Sequence, residues 1–128
     1  MSISIYYVAT RTAPISSDET EKIRAVVTQY CVNQRIEEYM RTRQGLNWES
    51  FNYHVDAGVD GINQATTVFR GSTKLPDNTK NALWEGVQHW CQCISAIRRV
   101  IPNAYWQVRV EDHLIKWNPA LDMYEPNF

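Results

Sequence analysis

One segment constrains the fold of this chain more than any other. Leu83, Val87, Trp90, Cys91, Ile94, Ile97 and Ile101 fall at i, i+4, i+7, i+8, i+11, i+14 and i+18, between Pro76-Asp77 and Pro102. This spacing puts every apolar side chain on one stripe of an α-helix, and such a stripe is stable only when buried. Asp77 is the expected N-cap. Pro102 is the expected stop, because it lacks the amide that would continue the helical ladder. A long helix with one wet face needs a flat apolar partner, and the flanking segments supply strands.

Ile3, Ile5 and Tyr7 alternate with Ser2, Ser4 and Tyr6, the period of a strand. Thr12-Ala13-Pro14 breaks it. Ser16 then stands three residues before Glu19, the spacing of a capping box, and Asp18, Glu19 and Glu21 put negative charge at the positive end of a helix. Ile23, Val26, Val27 and Tyr30 continue that first helix from near residue 17. Ile36, Tyr39 and Met40 would extend it, with Gly45 as the firm stop. A second strand spans Trp48 to Val55, with Glu49, Phe51, Tyr53 and Val55 on one face and Trp48, Ser50, Asn52 and His54 on the other. Two glycine-containing turns follow, and a third strand covers Ala65 to Ser72.

Beyond the long helix, Trp106, Val108 and Val110 alternate with Tyr105, Gln107, Arg109 and Glu111. Glu111-Asp112-His113 turns the chain into a short strand from Leu114 to Trp117, and Asn118-Pro119 leads to an edge strand at Met123-Tyr124. The pattern predicts an α+β fold: a two-layer sandwich, with an antiparallel sheet carrying two helices on one face. The order is ferredoxin-like, β-α-β-β-α-β, plus a C-terminal hairpin.

With 128 residues, 44% of them hydrophobic and a formal charge of −1, the chain reads as a single globular domain over residues 1–128. Neutrality argues against a nucleic-acid binder or a polybasic membrane-surface protein. The first residues lack the basic and apolar blocks of a signal peptide, and no run approaches the roughly 18 apolar residues of a membrane span. Cys31, Cys91 and Cys93 are an odd, irregularly spaced set, which fits a reducing cytoplasm better than a disulfide framework.

Catalytic signatures are few. His89 and Cys93 share a helical face, but Cys91 is turned about 200° from each, so the trio does not converge on a metal. The expectation is no metal and no cofactor. His54 with Asp56, or His54 with His113 and Lys116, would be the raw material of acid–base chemistry, provided the fold brought them together. No G-x-S-x-G, Walker-type or dinucleotide-binding glycine pattern occurs. Gly71-Ser72-Thr73-Lys74 reads as a strand end.

The sheet face away from the helices is more informative. Trp48 and His54 on the second strand, and Tyr105, Arg109 and Glu111 on the fourth, would stand there uncovered. Trp, Tyr and Arg are the usual anchors of protein interfaces.

In Gly71-Ser72-Thr73-Lys74-Leu75-Pro76, Leu83-Trp84, His89-Trp90-Cys91 and the run from Trp106 to Glu111-Asp112-His113, the chain resembles small bacterial α+β domains of the toxin–immunity type. These include the immunity proteins of contact-dependent inhibition and related polymorphic toxins. The resemblance implies a cytoplasmic, non-enzymatic role, the sequestration of one cognate toxin domain by surface complementarity, with no catalytic residues. Members often present acid to a basic target. With a net charge of −1, any acidic patch here must be local: Asp56 and Asp60 in the hairpin tip, or Glu111 and Asp112 at the last turn.

The expected partner-binding set is therefore Trp48, His54, Asp56, Asp60, Tyr105, Arg109, Glu111 and Asp112, with no nucleic-acid or membrane partner. Two alternatives remain open: a small enzyme or ligand-binding domain with a His/Asp pocket, and a homo-oligomer pairing its open sheet faces. Monomer and homodimer are not distinguished.

Overall fold

A computed structural model describes residues 2–56 and 64–127. In chain order the elements are β1 (Ser4–Arg11), α1 (Ser17–Gln29), α2 (Asn33–Thr42), β2 (Tyr53–Val55), β3 (Thr66–Lys74), α3 (Ala82–Val100), β4 (Tyr105–Val110), β5 (His113–Leu114), β6 (Lys116–Asn118) and β7 (Met123–Glu125). The fold is α+β. Five strands form an antiparallel sheet in the order β2-β3-β1-β4-β5, and β6 and β7 form a separate antiparallel hairpin.

Burial alternates strictly along β1 and β4, so one sheet face is wet and the other dry. Ile5, Tyr7, Ala9, Phe69, Trp106, Val108 and Val110 are buried in one core with Ile23 of α1 and Val87, Trp90, Ile94 and Ile97 of α3. The arrangement is compatible with two layers. The helical stripe read from the sequence is the buried face of α3, and Cys93, expected off that stripe, is fully buried as well. Asp77 does not cap α3. Its carboxylate accepts from Asn47 Nδ2 and its amide donates to Asn47 Oδ1, so the chain makes a turn first and the helix opens at Ala82.

The capping box forms as expected, with Ser16 and Glu19 satisfying each other's backbone amides. The open question after Tyr30 has a tertiary answer. The chain leaves α1 at Tyr30, buries Val32 and starts a separate short helix, α2. His89 Nε2 of α3 donates to the Tyr30 carbonyl at 2.8 Å, meeting an acceptor exposed by the helix end. The second helix then ends at Arg43, in the left-handed region, before Gly45 is reached.

The second strand is shorter than its alternation predicts. Residues 48–52 are tied by side chains instead of a ladder. Tyr7 Oη donates to the Asn52 carbonyl and accepts from Thr73 Oγ1 at 2.8 Å, and Thr73 Oγ1 accepts from the Asn52 amide at 3.1 Å. Phe51 stacks on Tyr7 with 4.8 Å between ring centroids, and Trp48 packs edge-on against Trp90. Gly71 of β3 makes this close approach possible. A Cβ there would overlap the Asn52 carbonyl oxygen and lie 2.6 Å from the Tyr7 ring.

The C-terminal hairpin docks on α3. Ser95 Oγ accepts from the Tyr124 amide, and the Arg98 guanidinium lies 4.1 Å over the Trp117 ring while donating to Tyr124 Oη.

Candidate binding face

The uncovered sheet face is built by register. His54 on β2 pairs with Arg70 on β3, Arg70 with Val8 on β1, and Val8 with Gln107 on β4. One row along, Ser72, Tyr6, Arg109 and Leu114 follow in order across β3, β1, β4 and β5. These side chains share a face because strand side chains alternate with period two. Between them lies a shallow concavity of about 460 Å³, lined by His54, Arg70, Ser72, Tyr6, Gln107 and Arg109 among others.

The electrostatics of that concavity are one-sided, since no carboxylate among the described residues lines it. The ion pairs among the described residues join Arg11 to Glu19, Lys22 to Asp18, Arg24 to Glu21, Lys74 to Glu49 and Arg99 to Asp122. Neither Arg70 nor Arg109 takes part. Arg109 is held in place all the same. Its Cζ sits 4.2 Å over the Tyr6 ring and its Nη1 donates to the Glu111 carbonyl at 2.7 Å. A guanidinium has five donors in a rigid fork, so stacking and one bond leave the remainder directed outward.

His54, Arg109 and Tyr105 lie on this face as expected, with Tyr105 72% exposed at the start of β4. Trp48 requires correction. Expected on the open face, it is 8% exposed in the core, touched by His89 and Trp90, with Arg35 over its ring at 5.4 Å. The reason is the loss of strand geometry before Tyr53, which frees the alternation and lets both Trp48 and Phe51 turn inward.

Glu111 does not stand out as an acidic anchor either. Its backbone has a positive φ of 51° and its carboxylate turns back to accept from the Ser4 amide at 3.0 Å. Asp112 is exposed in the same turn, at one edge of the sheet. Asp56 is exposed at the other edge, its amide donating to Val68. Asp60 lies outside the described residues. Asp56 and Asp112 therefore flank the sheet at opposite edges and do not form a single patch.

The sequence reading missed Arg70 and Tyr6. The signal was present: Ile5, Tyr7 and Ala9 facing inward require Tyr6 and Val8 to face outward, and Arg70 stands between inward Phe69 and Gly71. On β3 the alternation is obscured by a bulge opposite Ala9/Thr10, which leaves both Val68 and Phe69 buried.

The groups considered for chemistry do not converge. His54 is on the edge strand β2 and His113 on the opposite edge strand β5. Four strand spacings separate them, roughly 19 Å. Cys91 and Cys93 are buried, and desolvation pushes both thiols up to about 12, far from a reactive thiolate. Burial among rings lowers the His89 pKa and favours the neutral imidazole. Among the described residues no group of three or more His, Cys, Asp or Glu is placed to hold a metal ion, and no helix is long and apolar enough to cross a membrane.

No protein-family model, curated protein or solved structure matches this chain.

Proposed function

We propose that this chain is a non-enzymatic binding protein that holds one protein partner on its open sheet face. Its role is that of an immunity protein neutralising a cognate toxin domain in the cytoplasm. The observation that carries the binding reading is the uncovered face itself. An exposed Tyr105, a stacked and pre-aimed Arg109 and an Arg70 that forms no ion pair with a described residue stand together, with no described element covering them. Aromatic and arginine side chains dominate interface energetics, and a guanidinium already held in place loses less freedom on binding. The strand order β2-β3-β1-β4, with helices after β1 and after β3, supports the ferredoxin-like reading, with β5 as an added edge.

Size gives a further constraint. A sheet five strands wide offers a face of roughly 400 Å², while a standard interface takes about 800 Å² from each partner. The partner must then reach over both rims, where Asp56 and Asp112 are exposed. These acids become rim contacts that steer association rather than central anchors. An acid–base enzyme reading is weaker, because His54 and His113 are held on opposite edges.

The test is genetic and biochemical. Each reading frame beside this one is expressed with and without this chain, and growth and co-purification are measured. One neighbour should be toxic alone, tolerated with this chain, and recovered as a stoichiometric complex. If no neighbour is toxic or bound, the immunity role is wrong.

A further inference from the structure

We infer that the open face recognises an acidic protein segment, with Arg70 and Arg109 each receiving a carboxylate. The inference rests on the reading of this face as a protein-docking surface and adds the chemistry of the partner. It reverses the charge that the resemblance implies for this side of the interface. Asp56 and Asp112, two of the acids expected to meet a basic target, lie at the rims, and the centre is cationic.

Three observations carry it. First, among the described residues the concavity between β2 and β4 is lined by Arg70, Arg109 and His54 and by no carboxylate, although acidic residues outnumber basic ones in the chain, fourteen to thirteen. Second, neither guanidinium forms an ion pair with any described residue, whereas Arg11 on the same sheet has a Glu19 partner at 2.6 Å. Leaving two guanidinium groups unpaired on one face favours an anion from outside. Third, their spacing suits two anionic groups. Arg70 and Arg109 lie two strands apart and two residues out of row, which puts their Cα atoms roughly 12 Å apart. Side chains of that reach converge on neighbouring same-side carboxylates of an extended strand, themselves roughly 7 Å apart.

A nucleic-acid backbone fits these observations less well. Single-strand binding uses exposed rings as base platforms together with a cationic track. Here the Tyr6 ring is already covered by Arg109, and the cationic cluster is short. A carboxylate needs no platform. It needs a fork, which each arginine supplies.

The test is a nuclear magnetic resonance titration of the full ¹⁵N-labelled chain with a blocked hexaglutamate peptide, with hexathymidylate and with inorganic phosphate, at low and moderate salt. Arg70→Gln and the Arg70→Gln/Arg109→Gln double variant are titrated in parallel. Arg70 forms no ion pair with a described residue, so its variant should keep the wild-type melting temperature.

Hexaglutamate should shift the backbone amides of Tyr6, Arg70, Ser72 and Arg109 and the two arginine Nε–H signals. Apparent affinity should fall at least tenfold in the double variant and fall with salt. Hexathymidylate and phosphate should bind more weakly. A silent open face, tighter binding of hexathymidylate or phosphate, or unchanged affinity in the double variant would each overturn the inference. Failure here is separable from failure of the docking reading. If the neighbouring-frame product still binds and Tyr105→Ala weakens it, while Arg70→Gln/Arg109→Gln does not, the face remains an interface and only its acidic chemistry is lost.

Discussion

Arg11 closes β1 on the dry face, 7% exposed, and spends every donor inside the protein. Its guanidinium reaches the carbonyls of Ala13, Pro14 and Pro102 and both carboxylate oxygens of Glu19. Arg70 and Arg109 stand on the wet face of the same sheet, exposed, with no carboxylate among the described residues meeting either. The contrast separates two uses of one side chain. Where a guanidinium is enclosed, all five donors must be satisfied, and it pins the loops that satisfy it. Where it is open, its donors remain for something else. Strand alternation separates the two in direction, since Arg11 is in phase with Ile5, Tyr7 and Ala9 and Arg109 out of phase with Trp106, Val108 and Val110, but which groups meet each guanidinium is not written in either segment.

The largest effect that would break this comparison is at Arg11. Arg11→Ala strands Glu19 and three carbonyls, and should cost about 3 kcal/mol, the usual penalty for breaking a buried pair. Urea denaturation measures it. A loss under 1 kcal/mol would mean that Arg11 is no more structural than Arg70. The paired replacement Arg11→Met with Glu19→Leu should recover much of the loss, because no charge is then left unpaired.

Next comes Gly71→Ala. Its Cβ would press on the Asn52 carbonyl and the Tyr7 ring, and the expected cost is about 2 kcal/mol from overpacking. Denaturation midpoints should fall accordingly, while the open-face side chains of β3 keep their positions.

An effect of similar size is acid-dependent. The Arg11 guanidinium holds the Glu19 carboxyl down at about 2, from an ordinary value of 4.5. A carboxylate with a depressed folded-state pKa contributes stability that is fully present above its unfolded value. That contribution should disappear as pH falls from about 4.5 to about 2, at a cost of the order of 2 kcal/mol. Glu19→Gln should flatten this part of the stability–pH curve. An unchanged slope would remove Glu19 as its source.

The smallest stability effect belongs to the wet face. Arg70→Gln and Tyr105→Ala should leave stability within about 0.5 kcal/mol, as expected of surface substitutions away from structural contacts. Their effect should instead fall on partner affinity, with tenfold or greater weakening measured by calorimetry. Equal losses in stability and binding would erase the distinction between the two faces.

Some features were legible because their cause is local. The Ser16/Glu19 capping box depends on a three-residue spacing, and it forms. The stripe from Leu83 to Ile101 follows helical geometry, and Pro102 ends the helix for a reason contained in proline itself. The outward positions of Tyr105, Gln107 and Arg109 follow from the pleat of one regular strand. In the candidate site, Arg109, Tyr105 and His54 were visible in this way.

Trp48 was misplaced because period two applies only while the chain remains a strand. Whether residues 48–52 do so depends on Tyr7 and Thr73, both distant in sequence. Likewise, the end of α1 at Tyr30 depends on His89, a residue of another helix.

By itself, then, the sequence determined that these segments form helices and regular strands and which of their sides face inward, but not where α1 ends or α3 begins, since backbone geometry and apolar spacing are properties of short segments. Only the tertiary structure decided which charges are spent and which are open. Glu19 serves both as capping residue and as the partner of Arg11, Glu111 turns back onto Ser4, and Arg70 and Arg109 are left facing outward. Charge pairing acts through space over a few ångströms, and only the fold sets those distances.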